Sequence, residues 1–130
     1  MITGSAKIAG VIGWPINHSM SPLIHNYWLH HHKIDGTYIP MAVDPKNLEV
    51  AIRALPLIGF QGVNITVPHK ENALKAVDKV EPQADLIGAV NTLTIDVSGK
   101  ITGTNTDGFG FLQNFYQNIP NWRFDGKIVT

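Results

Sequence analysis

The feature that most constrains this chain is an alternation punctuated by proline. Three short apolar, partly β-branched runs, "KIAGVIG" (7–13), "GTYIPMAV" (36–43) and "FQGVNIT" (60–66), are each followed by a segment with a proline near its start, at Pro22, Pro45 and Pro68. Proline lacks a backbone N–H and holds φ near the helical value, so it suits the first turn of a helix and disrupts a central strand. The alternation therefore predicts strand, helix, strand, helix, strand, helix. Parallel strands joined by helices, with some antiparallel pairing further on, follow from such an order.

The details agree. "SPLIHNYWLHHHK" predicts a helix over about 21–33, with Ser21 as its cap and Leu23, Ile24, Tyr27 and Trp28 on one face. "DPKNLEVAIRAL" predicts a second, capped by Asp44, with Leu48, Ala51, Ile52 and Leu55 at helical spacing. "PHKENALKAV" (68–77) predicts a third, and 82–87 a short helical turn. "GAVNTLTIDV" and "KITGTN", separated by Ser98-Gly99, predict a β-hairpin. "DGFGFLQNFYQNI" (107–119) predicts a last helix, with Phe111, Leu112, Phe115 and Tyr116 together. The fold class expected is α/β: a three-layer α/β/α sandwich around a mostly parallel mixed sheet.

With 130 residues, 44% hydrophobic and 15% charged, the chain can build one real core. The expected domain spans 1–120, and 121–130, ending in "KIVT", reads as a linker and the opening strand of another domain. A formal net charge of zero gives no long-range attraction for nucleic acid or an anionic membrane. The absence of cysteine removes disulfide and thiolate chemistry and fits a cytoplasmic setting. Neither a signal-peptide pattern nor an apolar run of membrane-spanning length is seen.

Three polar clusters fall at predicted strand–helix junctions, where open α/β sheets bind ligands. In "NHSMS" (17–21), Ser19 and Ser21 flank a helix start, which favours an anion; ordinary capping by Ser21 is the bland alternative. In "GVNITVPHK", Asn64 and Thr66 share one face of a strand. Lys70 follows in the expected first helical turn, against the dipole; the alternative is a solvated lysine. The third cluster joins Asn91 and Thr92 with Asn105, Thr106 and Asp107. Asp107 suits an N-cap, whereas Asn91 in an apolar strand needs partners.

Two signals fail their tests. The histidines at 30–32 point in different directions on a helix and have no fourth-residue companion, so no metal site is expected. "GFGFLQ" (108–113) begins like a dinucleotide fingerprint, but it has Gln113 in place of glycine and follows "NTD" instead of an apolar strand.

The segments "VIGWPINHSMSPLIHN" (11–26), "GVNITVPHK" (62–70), "GAVNTL" (88–93) and "GTNTDGFG" (103–110) together resemble the shikimate dehydrogenase family, specifically its N-terminal substrate-binding domain. The resemblance covers residues 7 to about 118. It implies reduction of 3-dehydroshikimate to shikimate with NADPH in aromatic amino-acid biosynthesis. Ser19 and Ser21 match the residues that hold the substrate carboxylate. Asn64, Thr66, Asn91 and Asp107 match those that bind ring hydroxyls, and Lys70 with Asp107 matches the catalytic pair. NADP is then bound by a further domain, and the chain alone is expected to lack turnover and to self-associate through an uncovered apolar face. The alternatives are a non-catalytic shikimate- or quinate-binding module and an NAD-preferring quinate/shikimate dehydrogenase.

Overall fold

A computed structural model describes residues 2–121, 123 and 126. β1 (Lys7–Gly13), α1 (Ser21–His31), β2 (Gly36–Ala42), α2 (Leu48–Ala54) and β3 (Phe60–Ile65) form the first half. β4 (Lys79–Val80), α3 (Pro82–Ile87), β5 (Thr92–Ile95), β6 (Ile101–Thr104) and α4 (Asp107–Asn118) form the second. One mixed sheet runs in the order β2-β1-β3-β5-β6-β4. β1 is parallel to both β2 and β3, β5 is antiparallel to β3 and to β6, and β4 is parallel to β6. The α/β class and the mixed sheet are as the sequence predicts; β4 and its pairing have no counterpart in that reading.

The strands alternate between two cores. Ile12, Val63, Ile65 and Leu93 face α2 and pack with Leu48, Ile52 and Leu55. Val11 and Tyr38 face the other side, where Ile16, Ala9 and Leu29 of α1 join them. Asp44 caps as expected, its Oδ1 accepting from Lys46 N at 3.0 Å. A 3₁₀ turn, Pro45–Asn47, precedes the α-helix proper.

Three expectations are corrected. Residues 68–77 do not form an α-helix: the Val67–Pro68 peptide is cis and His69 N–H bonds to Thr66 O at 2.9 Å. A single turn, Ala73 N to His69 O at 2.8 Å, leads into a 3₁₀ segment, Asn72–Ala76. The turn carries His69 inward, where it is fully buried with Nε2 2.8 Å from Val43 O. Lys70 thus lies in the turn that leads into the 3₁₀ segment and not in an α-helix.

On α1, Leu23, Ile24, Tyr27 and Trp28 are exposed. The helix meets the sheet through Leu29 and through Asn26, whose amide bonds the β2 backbone. Ser21 is the first helical residue and not its cap; Ser19 Oγ accepts from Ser21 N at 3.3 Å. Likewise Thr106, not Asp107, precedes α4, whose Phe111, Leu112 and Tyr116 are exposed. The strand expected at "KIVT" lies outside the described residues.

Gly62 marks the tightest strand contact. A Cβ there would lie 2.4 Å from Leu93 O on β5. Ala ordinarily outperforms Gly inside a strand, but here Gly62→Ala must push two paired backbones apart. We expect a loss of about 1–3 kcal/mol, the usual cost of overpacking, measured by urea denaturation.

Candidate functional site

The β1–α1 connection, the end of β3 and the α3–β5 and β6–α4 connections meet at one end of the sheet. There a pocket of about 270 Å³ is lined by Ser19, Ser21, Asn64, Thr66, Lys70, Asn91 and Asp107. All seven residues that the resemblance assigns to the site therefore share one cavity, whereas Thr92, Asn105 and Thr106 of the third cluster are not among its lining residues. Its volume falls just below the ~300–1,000 Å³ of drug-sized pockets, which suits a small ligand.

Hydrogen bonds fix most of its groups. Lys70 Nζ donates to Asp107 Oδ2 at 2.5 Å. Asn91 Nδ2 donates to Asp107 Oδ1 and to Thr106 Oγ1, both at 2.9 Å. Asn91 Oδ1 accepts from Thr106 N at 3.1 Å and from Thr92 Oγ1 at 2.9 Å. The backbone N–H can only donate, so the orientation of the Asn91 amide is determined. Asn64 Nδ2 donates to Thr92 Oγ1 at 3.1 Å and to the Asn91 carbonyl at 3.3 Å, and that carbonyl can only accept. The Lys70 backbone is tied in as well, its carbonyl accepting from Val90 N at 2.9 Å. Among the described residues, the hydroxyls of Ser21 and Thr66 find no partner and remain available to a ligand.

Two contributors, one lining the pocket and one behind it, lie outside the residues expected from the sequence. Tyr38, on β2, donates its hydroxyl to Asn64 Oδ1 at 2.7 Å. His25, one turn after Ser21, lines the pocket and stacks on the Tyr38 ring at 4.1 Å and 7°. An aromatic residue in a strand reads as core, so only its hydroxyl hinted at more. Burial pushes the Tyr38 phenol up to about 12 and lowers the His25 imidazole. Burial also works to raise the Asp107 carboxyl, but hydrogen bonds from Lys70 and Asn91 and the Lys70 charge outweigh it and hold it below its ordinary value.

A dinucleotide would need a glycine-rich turn of backbone N–H groups for its pyrophosphate. Gly108 and Gly110 open α4, but the ionised Asp107 stands in that same first turn and repels phosphate. The described residues do not fit a dinucleotide. Nor do any three of their His, Cys, Asp or Glu side chains group to hold a metal ion.

By its architecture, an α/β domain with polar groups converging at strand ends is a small-molecule-binding domain. The family model described as the shikimate dehydrogenase substrate binding domain matches residues 11–93. The chain belongs to this family. It is 56% identical over 123 residues to the shikimate dehydrogenase (NADP(+)) of Rhodospirillum rubrum, covering 95% of this chain and 44% of that protein. The crystal structure of a shikimate dehydrogenase in complex with NADP+ superposes with a TM-score of 0.91 at 37% identity, covering 95% of this chain and 42% of that one. A shikimate 5-dehydrogenase from Listeria monocytogenes in complex with shikimate and NAD gives 0.85 at 36% identity, covering 90% and 40%. The chain thus spans less than half the length of the curated relatives it matches.

The Asp107 shift has a definite sign. A folded-state carboxyl held below its unfolded value contributes stability that is fully present above the unfolded pKa, about 3.9 for Asp, and is lost as pH falls through the folded pKa. Lys70→Met removes both the strongest opposing hydrogen bond and the charge, so Asp107 should then titrate higher, which side-chain ¹³C NMR reads directly.

Proposed function

We propose that this domain holds shikimate and 3-dehydroshikimate for an NADP-dependent shikimate dehydrogenase, in which 3-dehydroshikimate, NADPH and a proton give shikimate and NADP+. The observation that carries this reading is the convergence of Ser19, Ser21, Asn64, Thr66, Lys70, Asn91 and Asp107 on one pocket. Shikimate has a carboxylate at one end and three hydroxyls around a ring, one of which is the ketone in 3-dehydroshikimate. Ser19 and Ser21, at the start of α1, take the carboxylate. Asn64, Thr66, Asn91 and Asp107 take the hydroxyls.

Lys70 and Asp107 are the catalytic pair. Reduction of the ketone leaves developing negative charge on its oxygen, and the Lys70 ammonium supplies the proton there. Asp107 holds that ammonium in place. The nicotinamide dinucleotide is held by residues other than those described, so residues 1–120 act as the substrate domain and 121–130 lead onward. A cysteine-free chain of this chemistry is at home in the cytoplasm.

Titrating the ¹⁵N-labelled chain with shikimate should shift resonances at 19–21, 64–70 and 91–107. Charge-assisted hydrogen bonds are worth roughly 1.5–3 kcal/mol each, so replacing both serines with Ala should weaken binding at least about tenfold. Shifts confined to other parts of the chain would refute the site.

In the dehydrogenase carrying this domain, Lys70→Ala should lower turnover by about 10²–10⁴ and raise KM far less, since the carboxylate contacts remain. Steady-state kinetics separates the two. Equal losses in both would make Lys70 a binding residue only.

A further inference from the structure

The "HN" that ends the first sequence motif, His25-Asn26, and the hydroxyl of Tyr38 have no part in the substrate contacts proposed above. The structure joins them. Asn26, on α1, takes hold of the Tyr38 backbone twice: its Nδ2 donates to Tyr38 O at 2.8 Å and its Oδ1 accepts from Tyr38 N at 3.0 Å. His25 stacks on the ring of the same residue. Tyr38 is thereby fixed at backbone and ring, and only 5% of it is exposed. Its register partner on β1 is the small Ala9, which packs against it, and the phenol spans β1 to reach Asn64 on β3.

A phenylalanine would fill the same space and keep the stack. The hydroxyl adds one thing, the 2.7 Å bond to Asn64 Oδ1. From there the donors run one way: Asn64 Nδ2 to Thr92 Oγ1, Thr92 Oγ1 to Asn91 Oδ1, Asn91 Nδ2 to Asp107 Oδ1. Bonds aligned in this manner polarise one another. The raised phenol pKa keeps Tyr38 a donor throughout the neutral range.

We propose that Tyr38 is a positioning residue for the hydroxyl end of the site: clamped by His25 and Asn26 of α1, it orders the Asn64–Thr92–Asn91 chain that ends on Asp107. It thereby couples the helix that begins with Ser21 to the groups that read ring hydroxyls. The ligand arm of the test rests on the shikimate reading above; the ligand-free arm does not.

The test compares wild type, Tyr38→Phe and Thr92→Val, each removing one hydroxyl of the chain. In the ligand-free protein, Tyr38→Phe should move the side-chain amide resonances of both Asn64 and Asn91, although only Asn64 touches the phenol. Affinity is then measured for shikimate and for cyclohex-1-ene-1-carboxylate, which keeps the ring and carboxylate but lacks the hydroxyls. Tyr38→Phe should weaken shikimate about two- to twelvefold, the worth of one neutral hydrogen bond, and leave the bare carboxylate nearly unchanged. Thr92→Val should repeat that selectivity, and the double variant should lose less than the sum of the two single losses. An unmoved Asn91 amide, or equal weakening of both ligands, overturns the proposal. Failure of the wild type to bind shikimate overturns the substrate reading instead, and the amide resonances still decide the role of Tyr38.

Discussion

The site depends on the antiparallel pairing of β5 with β3. Up to β3 the sheet grows by parallel strands, each starting at the same end. A further parallel strand would put its first residue at the far end from Lys70. Because β5 runs the other way, it begins where β3 finishes: Thr92 pairs with Asn64, and Ile65 N donates to the Asn91 carbonyl at 2.8 Å. β6 then reverses again and delivers Asn105, Thr106 and Asp107 to the same edge. Gly62 permits this junction, since Leu93 O occupies the space a side chain would need. Gly88, at φ 76°, ends α3 in the left-handed conformation that favours glycine, and Val90 N then meets Lys70 O.

The ion pair at the centre of the site contributes little to folding. With side chains 32% and 52% exposed, Lys70 and Asp107 form a bond of the kind worth about 0–1 kcal/mol. Neutral groups do the positioning. Asn91 is 9% exposed and has both amide protons and its oxygen engaged. Stripping one partner from such a buried group costs about 1–3 kcal/mol, so the amide resists rotation and holds Asp107 where Lys70 finds it. The order of importance for geometry is thus the reverse of the formal charges.

This division explains what was legible in the sequence. Strands, caps and the hairpin are local, and Pro45, Asp44, Ser98 and Gly99 announce them in their own segments. The seven pocket residues sit in short motifs at strand ends, where resemblance and chemistry coincide. The turn at 67–71 was misread because a proline after a strand signals a helix equally well; only the burial of His69 against Val43 distinguishes the two. On α1 the apolar stripe is not the inward side: a polar pair, His25 and Asn26, carries contacts with β2, and side chain-to-backbone bonds leave no hydrophobic period. Tyr38 escaped because its partner lies 26 positions away, across an intervening strand.

The electrostatics of the pocket set the kind of selectivity available to it. Among its lining residues Lys70 is the one formal cation, and Asp107 already neutralises it. Burial lowers the His25 pKa, so at neutral pH this residue adds no charge. An anion at Ser19 and Ser21 would therefore meet neutral donors and the start of a helix, with no unpaired cation among the described lining residues. Attraction at a distance is weak, and little is left for salt to screen. Discrimination must come from counting hydrogen bonds at close range. That currency is steep: a site built to bond hydroxyls rejects an analogue lacking one by as much as ~10⁴–10⁵, because its own polar groups are stranded. The more rigidly Asn64 and Asn91 are held before the ligand arrives, the less they can turn to accommodate a wrong one.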